Sequence, residues 1–189
     1  MAPRPRERIL VAATRLFSEE GIHATGVDRV ITEAGVAPMT VYRHFAGKDE
    51  LVTATLERWS EQWLGWLRSE ARGDDARERL EGLWDALEKW FADEGFHGSY
   101  VANVANELRA KPGHPAQATI AAHRAALREQ LGELAGAAGV ASPAAAALQL
   151  HTLIDGATAV AVIDRQPGAA ASARAMAAAV LAEPALAGR

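Results

Sequence analysis

The chain has no cysteine among its 189 residues, so it offers neither a disulfide framework nor thiolate ligands for a metal. Strand-favouring runs of Val, Ile, Thr and Tyr are missing, which argues against a β-rich fold. Proline is sparse and glycine modest, with 8 and 16 residues, so most of the chain is expected to be ordered. No apolar stretch follows the basic start, which argues against a signal peptide. The longest uncharged run, Leu134 to Ile154, is broken by Gly136, Gly139 and Pro143 and carries His151, so it reads as a poor membrane span. The expectation is a cytoplasmic protein with no membrane partner.

What is present is material for a helical core. Hydrophobic residues make up 49% of the chain, and alanine dominates the second half, which points to an all-α protein. Net charge is −4 and unevenly spread. Residues 1–15 hold Arg4, Arg6, Arg8 and Arg15 against Glu7, and residues 1–50 are balanced, so the whole excess of acid lies in residues 51–189. A locally basic N-terminal arm on an acidic remainder suits a reader of nucleic acid whose larger part stays off it.

Hydrophobic spacing and breakers predict about nine helices. The first runs from about Arg6 to Glu20, with Ile9, Ala12, Ala13, Leu16 and Phe17 on one face and Gly21 as its stop. Thr25, three residues before Asp28, has the spacing of a capping box opening a short helix through Ala34. Gly35 supplies a tight turn. Pro38 fits the first turn of a third helix that ends near Phe45, where Ala46-Gly47 interrupts it. A long fourth helix runs from Lys48 to about Ser69, and Arg72-Gly73-Asp74-Asp75 is the clearest later break. Helices over about 76–92, 100–110, 116–138, 144–163 and 169–182 follow, the last two separated by residues 164–168.

The second and third helices, joined by a glycine turn and packed on the first, have the layout of a helix-turn-helix. Thr40, Arg43 and His44 share one face of the third helix, with Met39 and Tyr42 at its edges, while Val36, Val41 and Phe45 point inward. The hydroxyls and Lys48 suit phosphates, Arg43 suits guanine, and Thr25 at a helix start suits a phosphate. A helical hairpin with a polar outer face would show the same periodicity.

The span from Arg8 to Leu51 resembles the N-terminal domain of TetR-type transcriptional regulators. The matching residues are Ala13, Leu16-Phe17, Gly21, Thr25, Val30-Ile31, Ala34-Gly35-Val36, Thr40-Val41-Tyr42-Arg43-His44-Phe45, Lys48 and Leu51. Gly26-Val27-Asp28 departs from the Thr/Ser-rich start frequent at that point of the family. The resemblance implies a three-helix DNA-binding domain over residues 1–50 and a helical domain for effector binding and dimerisation over 51–189. It implies a homodimeric repressor on double-stranded operator DNA, without a cofactor. The DNA-contact set is Thr25, Met39, Thr40, Tyr42, Arg43, His44 and Lys48.

In the C-terminal part, Trp59, Trp63 and Trp66 fall at i, i+4 and i+7, with Trp84 and Trp90 on the next helix. Such a stripe is either core or the wall of an apolar pocket. Asn103, Asn106 and Glu107 cluster on the sixth helix, His123 lies on an apolar face, and His151, Asp155 and Thr158 form a polar stripe on an otherwise apolar helix. Buried polar groups need partners, and these have three candidates: one another, a dimer interface, or a ligand. The candidate effector pocket is Trp63, Trp66, Trp84, Asn103, Asn106, Glu107, His123, His151 and Asp155. No pair of ligands has a spacing diagnostic of a metal, so none is expected.

The small residues Ala157, Ala161, Ala173 and Ala177 on the last two helices allow close helix approach. The resemblance makes helices 144–163 and 169–182 a dimer interface, and an ordinary intrachain bundle is the alternative. No nucleophile–base motif or phosphate-cradling loop is present, so an enzyme is not expected. A constitutive DNA-binding regulator without an effector is the remaining rival. Neither effector, operator nor regulated genes can be read from the residues.

Overall fold

A computed structural model of the chain describes residues 4–166 and 168–182, and Pro167 of the expected last break lies outside them. Nine α-helices and no strands are found among the described residues: α1 (Pro5–Glu19), α2 (Val27–Ala34), α3 (Pro38–His44), α4 (Lys48–Glu70), α5 (Ala76–Phe91), α6 (Tyr100–Glu107), α7 (Ala116–Ala137), α8 (Pro143–Ile163) and α9 (Ala169–Ala182). Proline stands in the first turn of α1, α3 and α8, where its missing N–H costs no hydrogen bond.

The helices fall into two compact units. One, called the head below, comprises residues 1–62 and 100–123. The other, the body, comprises residues 63–99 and 124–189. The head therefore takes in α6 and the start of α7, which no local sequence signal joins to α1–α3.

In the head, Ile9, Leu10, Ala13, Leu16 and Phe17 form the buried stripe of α1 and share a core with Val30 and Ile31 of α2, Val41 of α3 and Phe45 just after α3. Tyr100, Val101, Val104 and Leu108 of the α6 region belong to the same core. The hydroxyls of Thr55 and Tyr100 meet at 2.9 Å within it, and burial pushes the Tyr100 phenol well above its ordinary pKa. Ser60 bonds the His123 ring at 2.8 Å, and Trp59 lies against both His123 and Tyr100.

In the body, α9 packs on α8 and α5. Small side chains permit this, since Ala157, Ala161, Ala169, Ala170, Ala173 and Ala177 are all buried. Arg174 of α9 pairs with Glu81 at 2.7 Å and Asp85 at 2.8 Å on α5. The α5 N-terminus is capped by Asp75, which accepts the Glu78 N–H at 2.9 Å, while the Glu78 carboxylate accepts the Asp74 N–H at 2.7 Å. Trp63, Trp66, Trp90, Phe91 and Phe96 form one aromatic cluster with centroid spacings between 5.0 and 6.5 Å. Among the described helices only α8 is long and apolar enough to cross a bilayer, and 44% of its most apolar stretch is buried among its neighbours.

Candidate nucleic-acid interface

The local chemistry of residues 21–51 sets a short helix with one free face. Gly35 ends α2 in the left-handed region at φ 59°, where a Cβ would also lie 2.9 Å from the Arg8 guanidinium. That guanidinium donates to the carbonyls of Ala34 at 2.6 Å and Gly35 at 2.7 Å. Arg8 of α1 thus closes the C-terminus of α2, where unpaired carbonyls and the helix dipole both favour a cation. It fixes the turn into α3. In the sequence Arg8 reads only as part of a basic arm, because its partners lie 26 and 27 residues away.

On α3, Val41 and Phe45 are buried in the head core, and Arg6 lies over the Phe45 ring at 5.5 Å. The opposite face is open. Met39 is 69% exposed and Tyr42 51% exposed, Arg43 and His44 are exposed, and Thr40 is half-buried. Lys48, half-buried at the start of α4, has its ammonium pKa lowered by burial; Glu107 and Asp49 pull it up and Lys111 pushes it down. Six of the seven expected DNA-contact residues, from Met39 to Lys48, are therefore at least partly exposed.

Thr25 is the exception. It was expected to cap α2 and to present its hydroxyl outward, but the side chain is fully buried and donates to the Gly21 carbonyl at 2.8 Å. Its own N–H bonds the same carbonyl, Gly26 is the N-cap residue, and no side chain caps α2. The capping-box spacing misled because Thr25 closes the preceding turn instead of opening the next helix.

Charge in the head is sorted by position. Arg15 pairs with Glu19 and Glu33, and Arg29 with Glu20 and Glu33, on the α1–α2 side. Arg43 has no ion pair or hydrogen bond among the described residues. Arg43 therefore leaves positive charge open to a ligand beside α3, which favours a polyanion there.

The nine residues expected to line an effector pocket are divided. Asn103, Asn106, Glu107 and His123 belong to the head, and Trp63, Trp66, Trp84, His151 and Asp155 to the body. Glu107 is committed elsewhere: its carboxylate accepts the N–H groups of Ile22 and His23 at 2.8 Å each and lies 2.9 Å from His23 Nδ1. Burial pushes its pKa up, but these three partners outweigh that and hold it below the usual carboxylate range. His123 is bonded to Ser60, Asn106 is exposed, and Trp84 is buried core at 2% exposure. His151 is buried, with Nε2 3.6 Å from Asp155, and Asp155 pairs with Arg124 at 3.0 Å. Trp63 and Trp66 belong to the aromatic cluster of the body.

Residues 9–55 match the family model described as bacterial regulatory proteins, tetR family. Over 83 residues the chain is 35% identical to the transcriptional activator FasR of Mycolicibacterium smegmatis, a stretch covering 43% of this chain and 38% of the activator. The chain thus spans well under half the length of that curated relative. A solved TetR-family transcriptional regulator from Streptomyces coelicolor superposes with a TM-score of 0.83 at 31% identity, covering 94% of both chains. A putative regulator of the same type from Streptomyces avermitilis superposes with a TM-score of 0.79 at 28% identity, over 93% of this chain and 99% of the other. With a helix-turn-helix whose third helix is open on one face and a backbone likeness over nearly the whole chain, the protein belongs to the TetR family of DNA-binding transcriptional regulators.

Proposed function

We propose that the chain is a homodimeric repressor that holds a pseudo-palindromic operator through α3 and releases it when a small molecule binds the C-terminal part. On this reading residues 1–50 bind DNA, residues 51–189 bind effector and partner subunit, and the protein works in the cytoplasm. The observation that carries it is the open face of α3, where Met39, Tyr42, Arg43 and His44 are exposed above a buried Val41 and Phe45. A helix held from below with polar side chains free above is the form that enters a major groove. Thr40 and Lys48 border that face and suit phosphates; Thr25, being buried, is left out of the contact set.

Dimerisation through α8 and α9 is supported by the apolar surface these helices leave open. Leu153, Gly156, Ala157, Val160 and Met176 line a cleft of about 620 Å³, with Val160 41% and Met176 55% exposed. A second copy would cover it. Two α3 helices would then address successive major grooves about 34–36 Å apart. The effector acts only through its differential affinity for the DNA-competent and incompetent forms.

Selection of binding sites from a random duplex pool, followed by footprinting, tests the reading. The expected result is a symmetric site of two half-sites about one helical turn apart, protected by a dimer. A single unsymmetrical site bound by a monomer would contradict it. Val160→Glu combined with Met176→Glu should give monomers in sedimentation and lose the two-half-site footprint. The rival of a constitutive regulator without effector predicts the same footprint but no small molecule that releases it.

A further inference from the structure

The body holds a cleft lined by none of the residues expected to bind an effector. Its volume is about 610 Å³, and it lies where the end of α4, the following loop, the start of α5 and the second half of α7 meet. Arg68, Arg72, Arg79, Gln130, Glu133 and Leu134 form most of its wall. Three guanidinium groups against one carboxylate give it a positive balance.

These cations retain donors. Arg68 has no hydrogen bond or ion pair among the described residues. Arg72 gives one terminal N–H to Glu70 at 3.0 Å and its Nε to the Ser69 carbonyl at 3.5 Å, and Arg79 gives Nε to the Gly73 carbonyl at 3.2 Å. A guanidinium carries five N–H donors, so both paired arginines can still bind an anion. The backbone that carries them is tightly packed: a Cβ on Gly73 would meet the Glu78 Cβ, and one on Gly82 would lie 2.7 Å from the Arg72 carbonyl oxygen.

Gln130 is an independent pointer. It is only 6% exposed, it lines the cleft, and neither its amide oxygen nor its amide nitrogen has a hydrogen-bond partner. Leaving such a group covered and unpaired is costly, because its lost hydrogen bonds to water are not replaced. A ligand presenting both a donor and an acceptor would recover that cost once the amide turns into the cleft it borders. Leu134, Ala71 and Ala137 supply an apolar wall beside it, and Glu133 offsets part of the positive charge.

We infer that this cleft binds a small organic monoanion, a carboxylate on an apolar body. Arg68 and Arg79 hold the carboxylate, Leu134 meets the apolar body, and the Gln130 amide bonds a neighbouring polar substituent. The inference rests on the reading of the C-terminal part as ligand-binding and names its ligand class.

The test uses the full-length protein at constant ionic strength with matched acid and amide pairs: benzoate and benzamide, salicylate and salicylamide, octanoate and octanamide, indole-3-acetate and indole-3-acetamide. At millimolar concentration at least one acid should raise Tm by about 2 °C or more while its amide does not. Arg68→Gln with Arg79→Gln should abolish that shift, and Gln130→Leu should weaken binding of salicylate or indole-3-acetate, which carry a second polar group, by about tenfold in calorimetric titration. Arg109→Gln, a substitution at an exposed arginine outside the cleft lining, should leave it unchanged. If no acid exceeds its amide, or if the shift survives loss of both arginines, the proposal is overturned. Operator release is read separately by anisotropy. An acid that binds through the arginines but leaves the operator bound upholds the site and overturns only the effector reading.

Discussion

Head and body differ in how fully their buried polar groups are partnered, although Thr158 of the body does donate to the Ile154 carbonyl. In the head, Thr25 bonds the Gly21 carbonyl, Thr55 meets Tyr100, Ser60 meets His123, and His114 accepts the Ala116 N–H while facing Asp49. Among the described residues of the head, the Thr14 hydroxyl is the buried side-chain atom left over. In the body, Gln130 is buried with both amide atoms unpaired, and His151 with its Nδ1 unpaired. A satisfied polar network holds one arrangement, whereas unpaired groups under cover are a standing cost that a ligand or a rearrangement can remove. The contrast agrees with the proposed reading, in which the head presents a fixed surface to DNA and the body binds an effector.

The largest test of this contrast is Glu107→Ala. It removes three hydrogen bonds at once and leaves the Ile22 and His23 N–H groups without their carboxylate, so denaturant unfolding should show a loss on the order of 2–3 kcal/mol. A loss under about 0.5 kcal/mol would mean that Glu107 behaves as an ordinary surface residue. Arg8→Ala comes next. It should cost about 1–2 kcal/mol and weaken operator binding, because the α2–α3 turn loses its closure, and Arg8→Lys should recover part of both.

The body is predicted to respond with the opposite sign. Gln130→Leu removes an unpaired amide at nearly constant volume, so stability should hold or rise by up to about 1 kcal/mol. A loss above about 1 kcal/mol would show that the amide is satisfied in solution and would erase the contrast.

How much of this was legible in the sequence depends on the range of each interaction. The number of helices, the Gly35 turn and the inward direction of Val41 and Phe45 follow from spacing and steric rules within a few residues. The residue pattern also identified the open face of α3. What could not be read are contacts that fold brings together. Arg8 closes a helix 26 residues away, and Glu107 reaches the Gly21–His23 turn across 84 and 85 residues. Its place among polar neighbours on α6 made it look like a pocket residue. Thr25 shows the local counterpart: a correct spacing read with the wrong partner, since a buried hydroxyl can close the turn behind it as readily as open the helix ahead. The tryptophan stripe was split as well, with Trp59 in the head and Trp63 and Trp66 in the body.

Acid titration provides the smallest effects and separates the two regions again. With its pKa held below the usual range, Glu107 stabilises the head fully above about pH 4.3 and loses that contribution as pH falls through the lower folded value. The stability gap between wild type and Glu107→Gln should therefore shrink at low pH. His151 is pushed below its ordinary pKa by burial; Asp155 pulls it up, and Arg124 and Arg128 push it down. The unfolded ring takes up a proton first, so its contribution fades below about pH 6.5, and His151→Gln should flatten that part of the profile.

The central claim, that the chain acts on DNA through the open face of α3, is tested most directly by fluorescence anisotropy on the selected operator over a range of salt. Tyr42→Ala should bind at least about tenfold more weakly, and Lys48→Ala should weaken binding across sequences while reducing the salt slope by about 1. Unchanged affinity and slope in both variants, with their folds intact, would contradict the account.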